Sequence, residues 1–154
     1  MTTSLRQRRG IADDEDASAG KLGPEFQDAG CLLISEVHLF FSRPAELTGA
    51  TDDDTTAVAR KTKEYVDDFS RYKEQSTIRE VRTVLIKHAA QPGAEDLPEE
   101  ERGLQLTQFE MAQIANLAVS DLDEARTLIP TLASKDDAQL ESLLNELAAI
   151  RKFA

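Results

Sequence analysis

The stretch that most constrains the fold runs from residue 109 to residue 132 and is typical of two consecutive helices. In its first half, FEMAQIANL, apolar residues recur at helical spacing. Ser120 then offers a hydroxyl N-cap for the second helix, and three acids follow in the first turn, where negative charge favours the helix dipole. Pro130 is predicted to end this helix because proline lacks the N–H that the next hydrogen bond needs.

Helical spacing also dominates the rest of the chain, so the sequence predicts an all-α helical bundle. Apolar and aromatic residues repeat as a heptad-like seam over 58–72 and again over 78–88. Thr107 with Glu110 has the spacing of a capping box that begins the first helix of the 109–132 stretch, and Asp136 with Gln139 that of a second capping box that begins the last helix. Inward positions on the C-terminal helices form the predicted lobe core: Phe109, Ile114, Leu117, Leu122, Leu128, Ile129, Leu143 and Leu147.

Composition changes along the chain suggest its division into segments. Residues 1–20 mix arginines, acids and small residues, and they contain too little apolar surface to offset the entropy cost of ordering, so we predict a disordered tail. Residues 21–47 form an extended segment with a first helix, and a polar loop follows. A helical lobe is predicted over 55–154, with a surface loop at 91–104 that is rich in proline, glycine and acids.

The first helix and the segment before it contain more large apolar side chains than one helical stripe can bury. An apolar excess of this kind is typical of a surface that another protein covers. We therefore predict a partner interface at Leu22, Phe26, Leu32, Leu33, Ile34, Val37, Phe40 and Phe41.

Charge argues against an autonomous nucleic-acid-binding protein. The chain carries 18 basic and 29 acidic residues, a net charge of −11, whereas phosphate backbones attract lysine and arginine. Only residues 56–92 have a positive balance, with eight basic against five acidic side chains. A weak contact with RNA, or with an acidic protein patch, is therefore predicted at Lys61, Lys63 and Lys73.

Catalytic and metal-binding patterns are not recognisable in the sequence. His38 and His88 each lie on a predicted helix without an accompanying motif, and Cys31 lies in an apolar run, where burial raises rather than lowers the pKa of a thiol. No phosphate-binding glycine loop, zinc motif or nucleophile elbow is present. Because these patterns are missing, we expect a non-enzymatic protein without a cofactor. No apolar run approaches the length of a membrane helix, and we expect the protein to be soluble and intracellular.

Five sequence segments resemble one protein family, the fourth subunit of eukaryotic RNA polymerase II, of fungal type. They occur in the family's order and span most of residues 21–154: KLGPEF at 21–26, LLISE at 32–36, KTKEYVDDFSRYK at 61–73, EARTLIP at 124–130 and LESLLNELAAIRKF at 140–153. EARTLIP followed by a terminal RKF is the most specific of these matches.

The resemblance implies a non-catalytic, nuclear subunit, with shuttling to the cytoplasm as a further option. Such a subunit forms the polymerase stalk with the seventh subunit, an OB-fold protein, attaches to the polymerase core near the RNA exit path and acts in initiation. Its N-terminal segment packs on the partner, and its C-terminal helices form a lobe similar to the helicase-and-RNaseD C-terminal (HRDC) domain. One alternative is the equivalent stalk subunit of RNA polymerase III. The other is a stand-alone HRDC-like nucleic-acid-binding module, and the acidic charge of the lobe disfavours this second alternative.

Overall fold

The computed structural model describes residues 15–43 and 56–153, and six α-helices form within these two ranges. The helices are α1 (Ile34–Phe41), α2 (Ala57–Phe69), α3 (Gln75–Ile86), α4 (Gln108–Leu117), α5 (Leu122–Leu128) and α6 (Asp137–Phe153). Short 3-10 helices occur at Ala17–Ala19, Ala94–Asp96, Glu99–Glu101 and Pro130–Ser134. No β-strand forms within the two described ranges, so the prediction of an all-α fold is confirmed. None of the helices there combines the length and apolarity that a membrane crossing requires.

Helices α3 to α6, which we call the C-terminal lobe, enclose one hydrophobic core. Helix α3 contributes Ile78, Val81, Val84 and Leu85, and it packs against α6. Helix α6 presents leucines at a spacing of three and four residues, all of which are buried. The same core includes Leu104 and Leu106, so the second half of the predicted surface loop at 91–104 returns into the lobe.

Local capping explains where the lobe helices begin. The capping box predicted for α4 is confirmed, because the hydroxyl of Thr107 accepts the N–H of Glu110 at 3.1 Å and the Glu110 carboxylate accepts the N–H of Thr107 at 2.8 Å. The cap predicted for α5 is wrong by one residue. Asp121, not Ser120, accepts the N–H of Glu124, at 2.9 Å, because Asp121 holds the extended conformation that an N-cap requires.

Two residues assigned to the lobe core lie on the surface instead. Leu117 is 43% exposed, because the buried residues of α4 end at Ala115 and two further residues turn the helix by about 200°. Leu128 is 47% exposed for the same reason, since its neighbour Ile129 faces inward and is buried. Of the other residues assigned to the core, four are buried and two half-buried: Ile114, Ile129, Leu143 and Leu147, then Phe109 and Leu122.

The described end of the predicted disordered tail is folded. Asp16 and Lys21 pair through backbone hydrogen bonds, and the Asp16 carboxylate caps the turn of 3-10 helix between them. These local bonds supply the ordering that the sparse apolar residues do not, which corrects the expectation for residues 15–20. The remainder of the tail, residues 44–47 of the second segment and the polar loop after them lie outside the described residues.

Candidate partner interface

Helices α1 and α2 form an antiparallel pair, which we call the α1–α2 hairpin. The Ser35 hydroxyl accepts the N–H of Tyr72 at 3.0 Å, and three residues later His38 Nδ1 lies 2.8 Å from a carboxylate oxygen of Asp67. The contacts thus move forward along α1, from Ser35 to His38, and backwards along the other segment, from Tyr72 to Asp67, so the two segments run antiparallel. The predicted segment boundary at residue 55 therefore separates two helices that pack on each other.

Polar bonds fix the inner side of the hairpin to the C-terminal lobe. The N–H of Ile34 donates to the side chain of Asn116 at 2.9 Å, and Arg71 Nε donates to the Asn116 carbonyl at 3.3 Å. Arg82 on α3 forms an ion pair with Glu36 on α1. These bonds connect the start of α1, its Glu36 side and the segment after α2 to the lobe.

The Glu36 carboxylate is held in its charged form by this anchorage. Burial favours protonation, but the hydrogen bond from Arg82, the N–H of Leu33 at 2.7 Å and the Arg82 charge together hold the pKa of Glu36 below its ordinary value. The pair is mostly shielded from solvent, with both side chains less than one fifth exposed. It therefore acts as a fixed link between α1 and α3.

The outer side of α1 is apolar. Ile34, Val37 and Phe41 lie on it and remain partly exposed, while Phe40 lies at its edge towards α3 with 54% exposure. Their spacing places them on the flank of the helix away from the inward-facing Ser35. A helix that is apolar on both its inner and outer sides is typical of a buried element.

Helix α2 extends this apolar surface. Val58, Tyr65 and Phe69 follow one another at helical spacing and are 74%, 55% and 52% exposed. The rings of Tyr65 and Phe69 pack together with centroids 4.6 Å apart. Within α2 only Val66 is fully buried, so this helix presents more apolar surface outward than inward.

The two helices pack on each other, and both carry outward apolar residues. We call these residues the hairpin face: Ile34, Val37, Phe41, Val58, Tyr65 and Phe69. Sequence reasoning missed the three residues from α2, since their heptad-like spacing predicts a helix without indicating which protein buries the seam.

The other residues assigned to the partner interface do not lie together. Leu33 is 1% exposed and belongs to the core of this chain, because it directly precedes α1 and points into the lobe. This corrects its assignment as a partner contact. Phe26 and Leu32 are 61% and 57% exposed, whereas Leu22 is half-buried in a pocket that Phe109 also lines.

A second concave surface lies on the other side of α1, and we call it the α1–α3 groove. Its volume is about 720 Å³. Apolar side chains line its walls and floor: Leu32, Leu39, Phe40 and Ile78. The lining also includes Arg43, Arg79, the Arg82–Glu36 ion pair and three neutral polar side chains, Ser42, Gln75 and Thr83.

The three lysines predicted to contact RNA differ in their surroundings. Lys63 pairs with Asp67, with Nζ and carboxylate oxygen 2.5 Å apart, and Lys73 donates to the Asp67 carbonyl at 2.7 Å and to the Ser70 hydroxyl at 2.5 Å. Lys61 is exposed and forms no ion pair or side-chain hydrogen bond with the described residues. Of the three, Lys61 is therefore the most available to an external anion.

Ser42, His38 and Asp67 approach one another in the order of a nucleophile, a base and an orienting acid. The Ser42 hydroxyl, however, donates to the carbonyl of His38 at 2.8 Å, and its distance to His38 Nε2 is 3.4 Å. The hydroxyl proton therefore points away from the base that would have to remove it. Over the described ranges, no three His, Cys, Asp or Glu side chains are arranged to hold a metal ion.

His88 and Cys31 are not placed for catalysis either. Burial lowers the pKa of His88, and its Nδ1 atom is enclosed without a hydrogen-bond partner among the described residues. Cys31 is half-buried beside the lobe core.

Comparison with known proteins gives a consistent result over most of the chain. The family model described as RNA polymerase Rpb4 matches residues 31–151. The chain is 31% identical to DNA-directed RNA polymerase II subunit rpb4 of Dictyostelium discoideum, with 99% of both chains covered. It is 32% identical to DNA-directed RNA polymerase II subunit 4 of Arabidopsis thaliana, covering 92% of this chain and 96% of the relative. It is 34% identical to DNA-directed RNA polymerase II subunit rpb4 of Schizosaccharomyces pombe, covering 91% and 94%.

Proposed function

Because this chain belongs to the RNA polymerase Rpb4 family and is thus a subunit of RNA polymerase II, we propose that it forms the polymerase stalk with the seventh, OB-fold subunit. In this proposal the hairpin face packs on the seventh subunit, and the pair attaches to the polymerase core near the RNA exit path. The chain itself contributes no catalytic group. It acts in the nucleus, in transcription initiation and as a docking platform whose HRDC-like C-terminal lobe receives other factors.

The observation that carries the proposal is the apolar surface on two neighbouring helices. Tyr65 and Phe69 are each more than half exposed, and the outer side of α1 beside them is apolar as well. Aromatic side chains are enriched at protein interfaces, and a contiguous patch of this kind on a monomer is typical of a binding site. The apolar character of the six residues of this face favours a protein partner over a nucleic acid, whose phosphates attract lysine and arginine.

Hydrogen exchange on the free chain and on the chain mixed with the seventh subunit tests the proposal. We expect amides of 34–41 and 57–69 to exchange more slowly in the mixture, because the partner would shield both helices. Amides of 137–153 serve as the control, since α6 lies in the lobe. Equal exchange of α1 and α2 in both samples would contradict the heterodimer through this face.

Co-purification at mild salt distinguishes the remaining alternatives. Recovery with the large subunits of RNA polymerase II supports the proposal, whereas recovery with those of RNA polymerase III would favour the equivalent stalk subunit there. The named relatives all belong to RNA polymerase II, which supports the first outcome.

A weak contact with nascent RNA is a second, subordinate part of the proposal. Lys61 supports it, because this lysine is exposed and unpaired among the described residues. The chain is strongly acidic overall, with a net charge of −11, so a contact of this kind would be local and sensitive to salt. Crosslinking of the assembled stalk to nascent RNA tests it, and crosslinks confined to the C-terminal lobe would contradict it.

A further inference from the structure

The α1–α3 groove has a chemical character different from that of the hairpin face. Leu39 and Ile78 form an apolar floor, and Leu32 and Phe40 form partly exposed walls. The groove lies on the side of α1 towards α3, whereas the hairpin face continues towards α2. A partner bound to the hairpin face would therefore approach Phe40 at the border without contacting the floor of the groove.

Two arginines give the groove a positive rim. The guanidinium of Arg43 lies 5.3 Å from the centroid of the Phe40 ring, and Arg79 is exposed on α3. Neither arginine forms an ion pair with any described residue. In a chain with a net charge of −11, they place two positive charges, without an ion pair in residues 15–43 and 56–153, beside an apolar depression.

The groove is also held open by fixed bonds. Arg82 donates to Glu36 from Nε at 2.8 Å and to the Cys31 carbonyl from Nη2 at 3.0 Å, which ties α3 to α1 and to the segment before it. Because the Arg82 charge is already neutralised, it shapes the groove rather than attracting a ligand. A preformed groove binds without the entropy cost of ordering its own walls.

We propose that the α1–α3 groove is a second docking site, which binds a short acidic peptide carrying a pair of bulky apolar side chains and stays accessible in the stalk heterodimer. The apolar pair binds against Leu39 and Ile78, and carboxylates on either side of it bind Arg43 and Arg79. Arginine pairs with carboxylates through two parallel hydrogen bonds, which gives such a contact its orientation. The aliphatic floor and the presence of only two arginines on the rim disfavour a nucleic-acid strand, which would require more cations and stacking surfaces. The accessibility in the heterodimer rests on the function proposed above.

The test uses the full chain in complex with the seventh subunit and a fluorescein-labelled 12-residue peptide. The peptide carries a central Leu-Phe pair with three aspartates or glutamates on each side. We expect saturable binding by fluorescence anisotropy, and a loss of about tenfold in affinity for Arg79→Glu, because one charge-assisted contact becomes a repulsion. Arg60→Glu is the matched control, since this exposed arginine lies on α2 outside both surfaces, and it should bind the peptide unchanged.

Changes in the peptide separate the two components of recognition. Replacing its acids by Asn and Gln should abolish the effect of Arg79→Glu, and replacing the Leu-Phe pair by serines should abolish binding. Absence of binding, equal weakening by Arg60→Glu, or stronger binding of a 12-nucleotide single strand that displaces the peptide would each overturn the proposal.

Heterodimer formation is measured separately by size-exclusion chromatography. If the subunits do not associate, the stalk function fails, and peptide binding to the full chain alone still decides the chemistry of the groove. If the free chain binds the peptide and the heterodimer does not, the seventh subunit covers the groove, and the proposal of an accessible second site is wrong.

Discussion

Truncation of Phe69 measures directly how much the hairpin face contributes to pairing. This side chain is 52% exposed in the chain alone. A phenylalanine buries about 200 Å² when fully covered, so a partner that encloses it would remove roughly 100 Å² of apolar surface from water. At about 25 cal/mol per Å², that burial corresponds to about 2.5 kcal/mol, or roughly a 70-fold increase in the dissociation constant for Phe69→Ala. The value is an upper estimate, because the neighbouring ring of Tyr65 can move into part of the space.

Titration calorimetry of the chain against the seventh subunit is the appropriate measurement. Phe153→Ala is the matched control, because Phe153 is 86% exposed at the end of α6 and does not belong to the hairpin face, so its loss should leave the dissociation constant unchanged. Thermal unfolding of the free variants should remain close to that of the parent chain, since neither ring is buried in its core. Wild-type affinity in Phe69→Ala would refute the assignment of this face, as would equal losses in the two variants.

Three further predictions concern stability and RNA. Ile129→Ala should lower the free energy of unfolding by about 2–5 kcal/mol through lost burial and a cavity. Leu128→Ala should lower it by less than about 1 kcal/mol, because Leu128 is 47% exposed. Equal losses of stability in urea unfolding would show that the inward face of α5 is assigned wrongly. Bonds from Arg82 hold the pKa of Glu36 below its ordinary value of 4.5, so its contribution to stability should be complete above that value and be lost as the pH falls through the lower folded value. Unfolding of Glu36→Gln should accordingly depend less on pH in this acidic range, and an unchanged acid limb would contradict the link. Lys61→Glu should reduce crosslinking of the stalk to RNA, and it should lower the slope of log affinity against log salt by about 0.7 if one phosphate contact is lost; an unchanged slope would remove Lys61 from the contact.

Local signals in the sequence predicted local structure well. The capping box of Thr107 and Glu110 involves only residues three positions apart, so its hydrogen bonds need no tertiary context. The position of α5 was predicted from the same kind of signal, although Asp121 replaced Ser120 as the cap. Both residues can accept a hydrogen bond, and only the backbone conformation decides between them.

Signals that depend on tertiary packing were less informative. Leu128 lies one residue and Leu117 two residues from a buried position, and in helices of 7 and 10 residues the periodic pattern is too short to orient the stripe. Leu33 belongs to an apolar run whose sequence does not indicate whether the covering surface is its own lobe or another protein. Tyr65 and Phe69 have the same ambiguity, and in their case the side chains face outward.

The contrast between the two sides of the α1–α2 hairpin has a consequence for the cell. Hydrogen bonds to Asn116 hold the hairpin in place on the lobe, so a newly made copy cannot easily hide Tyr65 and Phe69 by folding them inward. Chaperones and proteases act on proteins that display apolar surface, and unpaired copies would be such proteins. We therefore expect overproduction of this chain alone to shorten its half-life, and overproduction together with its partner to restore it. Protein turnover would then keep the two subunits in equal amounts without any dedicated control of their synthesis.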